Sequence, residues 1–178
     1  MEDFNLIAAL VAGFVGTVVM SAMMTMAASA KVTDMPPMAL VTGAMMTGDR
    51  RRATAIGSVV HYLMMGTVVF GIVYGLLFDA FDSASWLVGV AIGLAHGAIV
   101  GLVFMPMMPL MHPRMEHDLV GAGTPAERAT VATDSRGEVH LSAPGVLGKG
   151  WGSMTPAGIL IGHAVYGVVL ALVYGWIN

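Results

Sequence analysis

Three histidines and one methionine-rich stretch are the parts of this sequence best equipped to do chemistry. His61, His96 and His163 each stand alone in a long apolar run. An imidazole inside a membrane span is costly and normally faces the protein interior, so each marks a candidate ligand position. His61 follows Arg52 by nine residues, His96 precedes Met105 by nine, and His163 follows Pro156 by seven. At a helical rise of 1.5 Å per residue, all three lie roughly 10–15 Å inside the same boundary, in one layer. Such a layer could ligate a b-type haem, a metal ion or a quinone headgroup. Each imidazole could equally donate to a carbonyl or a tyrosine hydroxyl across a helix contact. The second candidate is MPMMPLMHPRMEHD, with Met105, Met107, Met108, Met111, His112, Met115 and His117. Thioethers and imidazoles together suit a soft ion such as copper(I). Methionine is also a flexible apolar filler, which gives the same residues a packing role.

Other chemistries are absent from the pattern. With no cysteine, the chain has no disulfide, no thiol nucleophile and no CxxC metal site. Nothing resembles a hydrolase triad, a phosphate loop or a pair of catalytic carboxylates. No acidic residue falls inside an apolar run, which removes the usual relay of a coupled transporter. A net charge of −3 offers no basic surface to nucleic acid. The expectation is a protein that is not an enzyme.

The elements that position these residues are membrane spans. Of the 178 residues, 57% are hydrophobic and 11% charged, and the mean hydropathy is +0.80. A soluble domain usually carries about 25% charged residues. Four apolar runs, at about 6–30, 54–78, 86–105 and 156–177, are each long enough to cross a bilayer at about 20 residues. The fold class is therefore all-α integral membrane, one domain over 1–178. The first run has an acidic start, Glu2 and Asp3, and is too long for a secretory leader, so it reads as a retained helix despite Ala28-Ser29-Ala30. Pro36-Pro37 ends it, a short interfacial helix fits Met38 to Met46, and Arg50-Arg51-Arg52 anchors the second span. Pro106, Pro109 and Pro113 are expected to break the third run into an extended exit. A polar loop follows at about 112–155. In it, Val131 and Thr133 alternate against Val139 and Leu141 around Asp134-Ser135-Arg136-Gly137, the pattern of a β-hairpin. Trp151 suits an interface anchor.

Small residues give the packing. Gly89, Gly93, Gly97 and Gly101 recur every fourth position and form a ridge along which another helix backbone can approach closely. VVFGIVYG, Val68 to Gly75, returns as VVLALVYG, Val168 to Gly175. The first and third runs align without a gap, Gly13 on Gly97 and Ala9 on Gly93, which implies a duplicated helical hairpin. All eight Lys and Arg lie in the first and third loops. The positive-inside rule places loops 31–52 and 112–155 in the cytoplasm and both termini outside. The duplicated hairpin, its VYG helix ends and its intramembrane histidines resemble small four-helix prokaryotic inner-membrane proteins with no assigned activity. The resemblance implies fold and location only. The leading expectation is a non-catalytic accessory or structural subunit of a larger membrane complex, respiratory or otherwise redox-active, with lipid and other membrane subunits as partners. The alternatives are a haem- or copper-handling protein built on the histidine layer, and a small-solute channel or carrier.

Overall fold

The computed structural model describes residues 4–116 and 130–178. Four helices are long and apolar enough to cross a membrane: α1 (Leu6–Ser29), α3 (Arg50–Ala80), α4 (Trp86–Met111) and α5 (Thr155–Ile177). A short α2 (Met38–Ala44) lies between α1 and α3. Side-chain oxygens start three of these helices: Asn5 accepts from Ala8 N, Asp49 from Arg52 N and Ser85 from Val88 N. Each satisfies an amide that the first helical turn leaves without a partner.

Two of the long helices are not uniform. The stretches Val59–Phe70 in α3 and Val100–Phe104 in α4 wind as wide π-type turns. The amide of Gly71 reaches the Gly66 carbonyl, and Thr67 Oγ1 donates to the Tyr62 carbonyl at 2.7 Å, both five residues back. The second stretch corrects the expectation of a chain broken at Pro106. The helix runs on to Met111 with Pro109 inside it. Pro106 follows the wide turn in which Met105 N–H reaches the Val100 carbonyl. The hydrogen-bond ladder changes register there, and proline's missing donor falls at that change.

Glycine contacts set the packing. A methyl on Gly89 would strike the Gly167 carbonyl oxygen, and one on Gly93 the His163 carbonyl oxygen. At Gly97 it would meet His163 Cβ at 3.0 Å. Gly89, Gly93 and Gly97 therefore seat α4 directly on the α5 backbone. The fourth ridge residue, Gly101, faces Leu147 instead. On the other side of α5, α1 packs through Gly16, whose added methyl would strike Leu170. Against α3, Gly13 comes within reach of Gly66 O and Gly71 Cα, at 2.5 and 2.7 Å from a built Cβ. Thus α1 and α5 form the centre, with α3 and α4 on the flanks. Gly71 and Ala171, which hold the same place in the two VYG segments, meet Gly13 and Gly89 respectively.

Apolar side chains gather at both ends. At one end Ala8, Ala9, Ala12, Tyr74, Phe78, Tyr166, Leu170, Ala171 and Tyr174 are buried together. Here the two termini meet, Asn5 N donating to Tyr174 Oη at 3.0 Å. At the other end the two loops fold onto each other as a cap. Strands β1 (Val131–Thr133) and β2 (Val139–Leu141) pair antiparallel, Val131 opposite Leu141 and Thr133 opposite Val139, as the alternation implies. Val139 and Leu141 point inward and His140 outward. They join Leu40, Val41, Ala53, Met115, Ile159 and Trp151 in one core. Trp151 is fully buried, with Nε1 donating to the Ser142 carbonyl at 3.0 Å. Its expected place as an interface anchor is corrected: the loop supplies enough apolar side chains to enclose it.

Candidate functional site

Midway along the bundle a cluster of rings joins three long helices. His96 of α4 and His163 of α5 meet edge to face, their ring centroids 4.6 Å apart at an interplanar angle of 77°. Phe70 of α3 lies against the other side of His96, centroids 4.2 Å apart. Tyr74, one turn further along α3, brings its hydroxyl to His96 Nδ1 at 3.1 Å. Tyr74 also packs edge-on against Tyr166 of α5, centroids 5.3 Å apart, and Tyr166 donates to the Gly66 carbonyl at 3.3 Å. His163 donates through Nδ1 to the Ile159 carbonyl at 2.8 Å, the acceptor four residues back on its own helix. The glycine ridge permits this arrangement, because Gly93 and Gly97 bring α4 onto the His163 backbone.

His61 is not part of the cluster. Its Nε2 lies 3.3 Å from Ser21 Oγ of α1, and its ring stands against Tyr62. The wide turns of α3 explain the separation. In π-type winding, residues about five apart share a face, so His61, Gly66 and Gly71 line the side toward α1. At the ordinary 3.6-residue period His61 would have grouped with Gly57, Met64 and Met65. Two of the three layer histidines therefore converge. Tyr74 and Phe70 were not singled out from the sequence. The one signal for Tyr74 was its repeat position, shared with Tyr174.

The methionine-rich stretch is spread over different surroundings. Met105 and Met115 are buried in the cap core with Met108 packed against it, while Met107 and Met111 face outward. His112 is buried, and both its nitrogens are in use. Nε2–H donates to the Val41 carbonyl at 2.9 Å, and Nδ1 accepts from Arg114 N at 3.2 Å. It holds α4 to α2 and has no lone pair free for an ion. His117 lies outside the described residues.

A further cluster sits on the hairpin. One ligand atom each from Asp134, Glu138 and His140 lie within 4.8 Å of one another. Asp134 Oδ1 accepts from the amides of Glu138 and Arg136 at 2.9 and 2.8 Å. Its Oδ2 faces Arg136 and His140, both at 3.3 Å. The Glu138 amide above all, then the Arg136 amide and the side chains of His140 and Arg136, holds the Asp134 carboxyl down at about 2. A carboxylate so fully bonded is the closing device of a turn, with Gly137 at φ 81° supplying the reversal.

No curated protein and no solved structure matches the chain. Residues 4–122 match a family model, a stretch that takes in α1 to α4 with His61, His96 and the glycine ridge, and stops short of α5 and His163. Because this match covers well over half of the sequence, the chain belongs to DUF6789, a family of unknown function.

Proposed function

We propose that this chain is a multi-pass protein of the cell membrane that works without catalysis, as an accessory subunit of a larger membrane assembly. Its two termini lie on the outer side, and its basic loops, folded as the cap, lie in the cytoplasm. Its hairpins descend from one duplicated unit. The observation that carries the reading is the imbalance among the four long helices. Only 17% of the apolar window of α3 and 22% of that of α4 are buried within the chain, against 44% for α5. Each flank presents large apolar side chains outward, among them Leu63, Met64 and Val68 on α3 and Leu94, Leu102 and Phe104 on α4. Two flanks with so little internal burial are suited to a neighbouring subunit's helices.

The cap core holds the described part of the polar loop without a partner, and Gly89, Gly93 and Gly97 are used within the bundle. The support therefore comes from the flanks. The test is extraction in a mild detergent followed by native electrophoresis. An assembly well above the 18.5 kDa of the chain, containing further membrane subunits in fixed ratio, is the expected result. A monodisperse monomer from native membranes would refute it. A redox or metal role is the second reading, favoured by the meeting of His96 and His163.

A further inference from the structure

The chain doubles back between α2 and α3. A methyl on Gly43 would strike the Ala53 carbonyl oxygen, and one on Gly57 the Ala39 carbonyl oxygen. So α2 lies backbone to backbone along the first turns of α3, and the tip joining them is MMTGDRRR, Met45 to Arg52. Arg50, Arg51 and Arg52 are all exposed. Among the described residues, no hydrogen bond or ion pair engages their side chains. The tip's own carboxylate, Asp49, accepts from the Arg52 amide at 2.7 Å. Glu138, which packs on Gly48, is turned to Arg114 at 3.8 Å. On the same tip Met45 and Met46 are 42% and 59% exposed. Cations in a first helical turn oppose the helix dipole, so this placement does not serve α3 itself.

We infer that this tip is a binding surface for anionic phospholipid headgroups, a partner that rests on the membrane reading above. Three observations select it. Helix α3, with 31 residues, is about 46 Å long, against about 30 Å of hydrocarbon. The surplus carries Arg50, Arg51 and Arg52 to the level of the headgroups. Their guanidinium forks match phosphate oxygens, and no carboxylate of the chain competes for them. Met45 and Met46 supply flexible apolar side chains that can enter the boundary between headgroup and acyl chain. A cation cluster beside exposed apolar side chains, at the end of a span, draws anionic over zwitterionic lipid.

The test uses the full chain in phosphatidylcholine vesicles holding a minor fraction of brominated phosphatidylglycerol or brominated phosphatidylcholine. Bromine quenches tryptophan on contact. Met46→Trp, combined with Trp86→Phe and Trp176→Phe, reads the tip, because Trp151 is fully buried. A chain with Trp176→Phe alone reads Trp86, which is 55% exposed beside a loop without Lys or Arg. At the tip, brominated phosphatidylglycerol should reach half-maximal quenching at a mole fraction about 10-fold or more below that of brominated phosphatidylcholine. Trp86 should show no preference. Joint Arg50→Gln, Arg51→Gln and Arg52→Gln should abolish the preference at the tip, and so should salt at about 0.5 M. Where the triple variant loses its monodisperse elution, the salt titration of the unaltered arginines decides. Equal quenching by both lipids, a tip that neither lipid reaches, or a preference that survives the arginine changes would overturn the inference while Trp86 quenching upholds the membrane reading. Absence of quenching at both positions would overturn the two together.

Discussion

Replacing Gly93 by alanine adds one methyl group where α4 rests directly on the α5 backbone. That methyl would strike the His163 carbonyl oxygen and lie 2.9 Å from its carbon and 3.0 Å from Ala164 Cα. Ordinary contacts begin near 3.4 Å, and all three obstacles are backbone, so no side chain can rotate away. Helices α4 and α5 must separate by about 0.5 Å or more, loosening the Gly89 and Gly97 contacts as well. Overpacking of this kind costs about 1–3 kcal/mol. At about 2–4 °C per kcal/mol for a chain of this size, the apparent Tm should fall by about 2–12 °C. Gly158→Ala on α5 is the matched control. Its methyl would find only Met24 Cε, at 3.5 Å, and alanine favours helix over glycine by up to about 1 kcal/mol. Thermal unfolding in detergent, followed by size-exclusion chromatography, reads both variants. Equal Tm values for Gly93→Ala and Gly158→Ala would refute the direct seating of α4 on α5.

Three further outcomes are expected. Trp151→Ala should destabilise the cap by about 3–5 kcal/mol, as large-to-small changes in a core do. In a variant lacking the exposed Trp86 and Trp176, Trp151 emission should be blue-shifted and shielded from iodide. The hairpin should be acid-labile in a defined window. The folded pKa of Asp134, about 2, lies below the unfolded value of about 3.9. Its stabilisation is therefore complete above pH 4 and lost as pH falls toward 2. Backbone NMR of residues 131–141 should show that loss, and Asp134→Asn should abolish the step. His112→Ala should detach α4 from α2 by leaving the Val41 carbonyl without its donor, and protease sensitivity near Ala44 should rise.

Much of the fold was legible because periodicity and apolar length are strong signals. The four long helices, the short α2, the hairpin and the close backbone approach at Gly89, Gly93 and Gly97 follow from residue spacing, whereas the strand register and the partner helix of the ridge do not. The register changes were not legible. Wide π turns in α3 carry no sequence mark, and they turn His61 toward α1 and away from the other two histidines. Likewise, Pro106 reads as a breaker unless the wide turn before it is known. Trp151 reads as an interface residue because Val139, Leu141 and Leu40, which enclose it, are far away in sequence. At the candidate site, His96 and His163 were visible as lone imidazoles. Their partner Tyr74 belongs to a different helix, and only the long ring side chains reaching from α3 to His96 bring the two together.

Whether the cap faces the cytoplasm is decided by one measurement. The chain has no cysteine, so single cysteines at Ser135 in the hairpin turn and Ser83 between α3 and α4 can be labelled with an impermeant maleimide. In intact cells Ser83→Cys should react, while Ser135→Cys should react only after the membrane is opened. Labelling of Ser135→Cys in intact cells would contradict the proposed membrane topology.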